Sequence, residues 1–300
     1  MENRHFFFKY REGNKGFSEL LKSPSYDAMK IPLPIYFGEW MSKDYYNNSE
    51  EHDWRKNYQQ RPQVDLFFRI KDNQEDDYYF WIFLPDEIYT IRLLKPLNII
   101  DWQAVIPEDH YVYDKNGSTP KYYLGILEKN FYKMILPEAF ANINTNQKYN
   151  RKTIIEFEGN EELVANHLVC SSEKMKISAT ERLSFLSPVQ FETLIFLIFV
   201  QYNVYCSTYR GGTKEKYDLL IDNKEEVFPE FENGIINIQI KMKKDFVPPK
   251  LETKTVFVYL GKTDKKKNLF GNDWIFSKIG KSKYIDNWLT RSLDFFEIID

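Results

Sequence analysis

The sequence predicts a mixed α+β and α/β protein, with a β-rich N-terminal region and a C-terminal α/β core. In residues 30–136, short runs of aromatic and β-branched residues alternate with turn-forming stretches. From Ser187 onward, an apolar helical segment precedes several short strand-forming runs, and an amphipathic segment follows them. Strands flanked by helices on both sides indicate an α/β core.

Composition is that of a folded protein. The chain has 300 residues, of which 43% are hydrophobic and 28% charged, enough for one large domain or two ordinary ones. The longest apolar run, residues 194–200, is too short to cross a bilayer, and the first residues lack a signal-peptide pattern. Cys170 and Cys206 form no CxxC pair, so the sequence indicates neither a disulfide framework nor a zinc cluster. We therefore expect a cytoplasmic protein with no membrane partner.

The N-terminal region, residues 1–150, is predicted to be a β-rich recognition or regulatory domain. Residues 64–70 and 78–85 are aromatic and β-branched, and the turn-forming stretch between them favours a hairpin. Residues 78–83 carry large side chains on both faces, as expected of a strand buried on both sides. The sequence predicts further strands at 87–94, 122–127 and 131–136.

The C-terminal region follows a predicted linker, residues 151–182, which contains a short helix at 161–169. Ser187 and Pro188 suit the N-cap and first position of a helix that continues to about Tyr202. This helix is apolar nearly all round, so we expect it to be deeply buried. Strands are predicted at 203–208, 217–221, 235–241 and 256–260, and an amphipathic segment at 284–295.

Four polar side chains stand out in this region. Glu192 is the charged residue of the apolar helix, where an unpaired buried acid would be costly. Asp218 begins a strand, and Gln239 and Lys241 share one face of the next strand because strand side chains alternate.

These residue types suit the hydrolysis of a phosphodiester bond. Asp218 would be the main carboxylate ligand of Mg²⁺, which Mn²⁺ can replace, with Glu192 a second ligand through water and the Ile240 carbonyl a third. Lys241 would orient the attacking water and offset developing charge, and Gln239 would support the metal or a water.

The order of these motifs resembles the PD-(D/E)XK nuclease superfamily and, within it, the Mrr-like restriction endonucleases. Over residues 183–260, the matching segments are Leu186-Ser187-Pro188-Val189-Gln190-Phe191-Glu192, then Arg210-Gly211-Gly212 before Asp218, then Gln239-Ile240-Lys241. The resemblance implies a restriction-endonuclease-like α-β-β-β-α-β core in residues 183–300. It also implies a Mg²⁺-dependent DNA endonuclease, a hydrolase of restriction or anti-phage defence type. Two features depart from the family: Tyr217 replaces a glycine, and residues 222–234 look like an insertion.

Charge limits where DNA could bind. The formal net charge of -3 argues against a wholly basic surface, so a DNA contact needs a local basic stripe. Residues 241–283 hold twelve lysines and four acids. We expect phosphate contacts from Arg210 and Lys214 in the glycine-containing loop, and from Lys243 and Lys244 after the lysine strand.

The N-terminal domain would recognise the target or a partner. Its candidate exposed aromatic residues could stack on a flipped or modified base; they are Trp40, Trp54, Tyr79, Trp81 and Trp102. A partner defence protein that activates the nuclease is an equal alternative. Because cutting both strands usually needs two active sites, a homodimer is expected. Two rivals to the nuclease are a nucleic-acid-binding protein with a catalytically silent fold, which Tyr217 favours, and a protein-interaction subunit of a defence complex.

Overall fold

The computed structural model describes residues 2–10, 14–23, 27–34, 66, 69–70, 72–96, 99–101, 121–145, 149, 154–208, 217–249, 254–280 and 282–299. The chain divides into two compact units. The first comprises Met1–Leu136 and Ala141–Ser172, and the second comprises Pro137–Phe140 and Glu173–Asp300. None of the helices in the described part of the chain has the length and apolar character that a membrane span requires.

The first unit is built on one mixed β-sheet. Its strands are β1 (Asn3–Phe8), β2 (Ile31–Pro34), β3 (Asp77–Phe83), β4 (Glu87–Leu93), β5 (Ile99–Asp101), β6 (Lys121–Tyr132) and β7 (Ile154–Glu156). They lie in the order β2-β6-β4-β3-β1-β7, and β5 also pairs with β6. Strands β1 and β3 are parallel, whereas the other pairs are antiparallel. Helices α1 (Lys15–Lys22) and α2 (Asn160–Cys170) belong to the same unit.

Strand β3 is the buried centre of this sheet, as the sequence predicted. Every residue from Tyr78 to Phe83 is buried, and β3 lies between β1 and β4. The prediction that Tyr79 and Trp81 are exposed is therefore wrong. Trp81 is fully buried and its indole Nε1 donates to His5 Nδ1 at 3.2 Å. Of the other candidate stacking residues, Trp40, Trp54 and Trp102 lie outside the described residues.

Three predicted strands of the first unit, 64–70, 122–127 and 131–136, differ from the structure. Residues 64–70 were expected to be a strand, but the described residues Leu66, Arg69 and Ile70 are helical. Leu66 and Ile70 are both buried in the core of this unit. The two strands expected at 122–127 and 131–136 form the single strand β6 followed by a 3₁₀ turn.

The second unit contains a five-stranded sheet and a separate two-stranded sheet. Its strands are β8 (Met175–Ser178), β9 (Cys206–Thr208), β10 (Leu219–Asp222), β11 (Ile235–Lys241), β12 (Thr255–Tyr259), β13 (Leu269–Phe270) and β14 (Phe296–Ile299). The larger sheet has the order β13-β12-β11-β10-β9. Strand β10 is antiparallel to both neighbours, whereas β11, β12 and β13 are parallel to one another. Strands β8 and β14 form the parallel two-stranded sheet.

Helix α3 (Pro188–Gln201) begins as the sequence predicted. The Ser187 hydroxyl accepts from the Gln190 backbone N–H at 3.1 Å, and the Gln190 side chain accepts from the Ser187 N–H at 2.9 Å. The helix buries one face, formed by Phe191, Leu194, Ile195, Ile198 and Phe199. Burial on all sides is therefore not observed. Helices α4 (Asn272–Ile279) and α5 (Lys283–Ser292) follow the sheet, and α5 overlaps most of the predicted amphipathic segment, 284–295.

Residues 151–182, predicted to be a linker with a short helix, are divided between the two units. Strand β7 completes one edge of the first sheet, and helix α2 covers the predicted helical stretch. Strand β8 belongs to the second unit, where it pairs with β14. The boundary between the two units therefore falls within this stretch, between Ser172 and Glu173.

Candidate active site

The candidate site lies at one end of the antiparallel pair of strands β10 and β11. In β11 the isoleucines at 236, 238 and 240 are buried, and Gln239 and Lys241 are half-buried on the opposite face. Leu219 of β10 is buried and lies opposite Ile238. Asp218 immediately precedes Leu219, so alternation puts it on the same face as Gln239 and Lys241.

Asp218 and Lys241 are in direct contact. Lys241 Nζ lies 3.8 Å from Asp218 Oδ2, and the same oxygen accepts from the Ile240 backbone N–H at 2.6 Å. The Asp218 N–H donates to the Ile238 carbonyl at 2.8 Å, which fixes the backbone before β10. The Asp218 and Lys241 side chains are 33% and 37% exposed. Ion pairs this open to water contribute little to folding stability. A contribution to stability is therefore a weak explanation for why these two charged side chains lie together.

The backbone of Ile240 adds a second oxygen to this group. In an antiparallel ladder a residue directs its N–H and its C=O to the same side of the strand. The Ile240 N–H points to Asp218, so its carbonyl leaves β11 on that side, beyond the first residue of β10. Asp218 Oδ1 has no hydrogen-bond partner among the described residues. A carboxylate and a carbonyl are ligands that a hard cation accepts, with water completing the shell.

Glu192 has a different environment from the one predicted. It is exposed on α3, so the expectation that it is a costly buried acid is wrong. The apolar character of α3 was misleading, because apolar residues such as Val189 and Val200 are also exposed. Among the described residues, no cluster of three or more His, Cys, Asp or Glu side chains could hold a metal ion. A metal at Asp218 would therefore depend on one or two carboxylates, backbone carbonyl and water.

The predicted phosphate-contacting residues fall into two groups. Lys243 and Lys244 are exposed directly after β11, and the Lys243 N–H donates to the Lys241 carbonyl at 2.9 Å, so the chain turns there. Arg210 and Lys214 lie outside the described residues. The structure thus brings together Asp218, Ile240 and Lys241, and it keeps the two following lysines nearby in the chain.

Tyr259 is a neighbour of the site that the sequence did not reveal. Strands β11 and β12 are parallel, and Lys241 lies opposite Tyr259. The Tyr259 hydroxyl donates to the Lys262 carbonyl, and burial raises the pKa of the phenol. The signal that predicts strand β12 is local, but its pairing with β11 is a long-range contact that no local pattern encodes.

The loop between β10 and β11 is folded rather than an open insertion. Asn223 is fully buried, and its amide donates to the carbonyls of Phe228 at 3.0 Å and Glu232 at 3.1 Å. Its Oδ1 accepts from the Phe228 N–H at 3.0 Å. Phe228 in turn lies against Phe199 of α3, with ring centroids 5.1 Å apart. The loop therefore holds the two site strands together at the end remote from Asp218.

No family model matches the chain, and no match was found among curated proteins or solved structures. The candidate site is therefore defined by its sequence motifs and its geometry. That geometry defines a class of site: a carboxylate and a lysine at the ends of adjacent antiparallel strands, with a strand N–H donating to the carboxylate, on a face that water reaches.

Proposed function

We propose that the chain is a Mg²⁺-dependent DNA endonuclease of restriction or anti-phage defence type. The observation that carries the proposal is the contact of Asp218 with both Lys241 and the Ile240 backbone. Asp218 and the Ile240 carbonyl would hold the cation, with Glu192 as a second carboxylate through water. When bound, Mg²⁺ neutralises phosphate charge and activates water.

The protein side chains have separate tasks in this proposal. Lys241, next to Asp218, orients the attacking water and offsets the charge that develops on the phosphate. Gln239, on the same face, would support the metal or a water. The proposed core begins with a helix and three strands, and α3 is followed by β9, β10 and β11 in that order. The described residues between β11 and β12 contain no helix, which departs from the α-β-β-β-α-β order.

A catalytically silent nucleic-acid-binding protein is the alternative. Two observations favour it: Tyr217 stands directly before Asp218, and Glu192 is exposed instead of being drawn into a buried site. In that case the lysines would still contact phosphate, but no bond would be cut. Binding without cleavage is therefore the signature of this alternative.

Nicking of supercoiled plasmid in Mg²⁺ and in Mn²⁺ tests the proposal. The chain has a matched control, because Asp222 and Lys224 form a second pair at the other end of β10, with Oδ2 and Nζ 3.0 Å apart. We expect Asp218→Asn and Lys241→Met to lower the nicking rate by at least about 100-fold, a loss typical of removing an electrostatic contact in a transition state. Asp222→Asn and Lys224→Met should cut like the wild type.

The possible outcomes distinguish the endonuclease from the silent-binding alternative. Equal cutting by all variants would place the activity elsewhere or in a contaminant. Loss of cutting in the control pair as well would indicate that the strand pair had been disrupted rather than chemistry removed. A wild type that binds plain and methylated DNA but cuts neither in either metal would support the silent-binding alternative.

A further inference from the structure

Two groups of exposed lysines follow the two parallel strands next to the site. Because β11 and β12 are parallel, their last residues, Lys241 and Tyr259, lie side by side at one edge of the sheet. The exposed lysines beyond these two residues, called here the lysine edge, are Lys243, Lys244, Lys262, Lys265, Lys266 and Lys267. The two groups are far apart in the sequence. The parallel pairing of β11 and β12 brings the starts of the two following loops to the same end of the sheet.

The loop that carries the second group has a fixed backbone. Asp264 and Leu269 exchange backbone hydrogen bonds of 2.8 and 3.0 Å across the turn. The Thr263 hydroxyl donates to Asp273 Oδ1 at 2.7 Å and accepts from the Gly271 N–H at 2.9 Å. The loop is also attached to β12, because the Tyr259 hydroxyl donates to its Lys262 carbonyl. Its lysines therefore project from a rigid base.

The charge of this loop is largely uncompensated. Lys267 lies 3.1 Å from Asp264, which is the ion pair within the turn. Lys265 and Lys266 have no ion-pair partner among the described residues, and both are exposed. Adjacent like charges repel one another, so an anion that spans several of them would be attracted. The whole chain has a net charge of -3, so this attraction is local.

We infer that the lysine edge binds the phosphodiester backbone of the nucleic acid that enters the site. Lysine is a flexible point charge, suited to phosphate contacts that position a strand without reading its sequence. Lys241 is the last residue of β11 and thus lies where the edge begins, so a backbone held there would pass the Asp218–Lys241 contact. The inference rests on the proposed function in taking the substrate to be nucleic acid.

Fluorescence anisotropy with a labelled duplex DNA, in EDTA so that no cutting occurs, tests the inference. Lys265→Ala/Lys266→Ala should bind about tenfold more weakly at low salt. The slope of log affinity against log salt should fall by about 2, because each lost phosphate contact removes about 0.9. The matched control, Lys174→Ala/Lys176→Ala, removes two exposed lysines from the separate β8–β14 sheet and should leave both quantities unchanged.

The experiment can refute the inference about the lysine edge without refuting the proposed nuclease function, and the reverse. If the wild type cuts DNA but Lys265→Ala/Lys266→Ala retains its affinity and salt slope, the lysine edge is not the binding surface although the nuclease proposal stands. If binding follows the prediction and no cutting is ever seen, the edge is supported and the endonuclease is not. Equal displacement of DNA by polyglutamate and by unlabelled duplex would identify the edge as a site for acidic protein and overturn the inference.

Discussion

The largely buried pair of Lys278 and Glu230 gives the sharpest prediction for the stability of the second unit. Lys278 Nζ lies 2.8 Å from Glu230 Oε1, and the Trp274 indole donates to the same oxygen at 2.6 Å. The two charged side chains are only 18% and 10% exposed. The ammonium also lies 5.1 Å from the centre of the Phe228 ring and 5.7 Å from that of Trp274. The pair joins α4 to the loop between the two site strands.

Replacing Lys278 by Met keeps most of the side-chain volume and leaves the Glu230 carboxylate buried without its partner. Removing one member of a buried pair costs roughly 3–5 kcal/mol of unfolding free energy. Because both side chains keep some exposure to water, we expect the lower end of this range, about 3 kcal/mol. For a chain of this size that corresponds to a Tm lower by roughly 6–12 °C. Lys278→Met/Glu230→Gln removes both charges and keeps an acceptor for Trp274, so it should recover stability to within about 1 kcal/mol of the wild type.

Urea unfolding followed by tryptophan fluorescence measures these differences. The matched control is Lys174→Met: its ammonium lies 2.9 Å from Asp294, but the side chains are 56% and 83% exposed. It should cost less than about 1 kcal/mol. A Lys278→Met variant as stable as the wild type, or a double variant no more stable than Lys278→Met, would refute the reasoning.

The same pair has a pH signature. Burial acts to raise the pKa of Glu230, but the hydrogen bonds from Lys278 and Trp274 outweigh it and hold the pKa below its ordinary value. A lowered carboxylate pKa contributes stability above the unfolded pKa, and this contribution is lost as the pH falls through the folded pKa. In the Lys278→Met variant, the acid limb of the stability profile should therefore be shallower.

Two further predictions concern other parts of the chain. A Cβ at position 271 would overlap the Gly261 carbonyl, which accepts from the Asn272 N–H at 2.9 Å, so Gly271→Ala should destabilise the second unit by about 1–3 kcal/mol in the same urea assay; unchanged stability would contradict this. Burial lowers the pKa of His5 to about 4, so wild-type stability should fall as the pH drops from about 6.5 to about 4. An NMR titration that gives the His5 imidazole an ordinary pKa would contradict it.

Sequence predicted the parts of the second unit whose signals are local. Ser187, Pro188 and Gln190 form a capping signature within four residues, and the structure has the helix start there. Strand β11 has the predicted bounds, because its alternation of isoleucine with polar residues is readable without any partner. The shared face of Gln239 and Lys241 follows from the same alternation.

The parts that sequence missed depend on distant partners. Strand β1 pairs in parallel with β3 across more than seventy residues, and nothing near either strand encodes that register. Residues 64–70 have a composition that suits a strand, but the described residues Leu66 and Ile70 are helical and buried in the core. The exposure of Glu192 could not be predicted from the apolar helix around it. An apolar helix need not bury every side chain, as the exposed Val189 shows.

Strand β10 carries two acid–lysine contacts of similar chemistry, and their surroundings differ in a way that bears on function. At one end, Asp222 and Lys224 pair within a folded loop between two strands. At the other end, Asp218 meets Lys241 where β11 leaves the sheet and where Lys243 and Lys244 follow, exposed. Asp218 accepts from the N–H of Ile240 on the neighbouring strand, and ladder geometry directs the Ile240 carbonyl to that side, whereas Asp222 accepts from the Lys224 N–H within its own turn. Because both pairs are too open to water to matter much for stability, a difference between them in any assay of cutting or binding reports on chemistry rather than on folding.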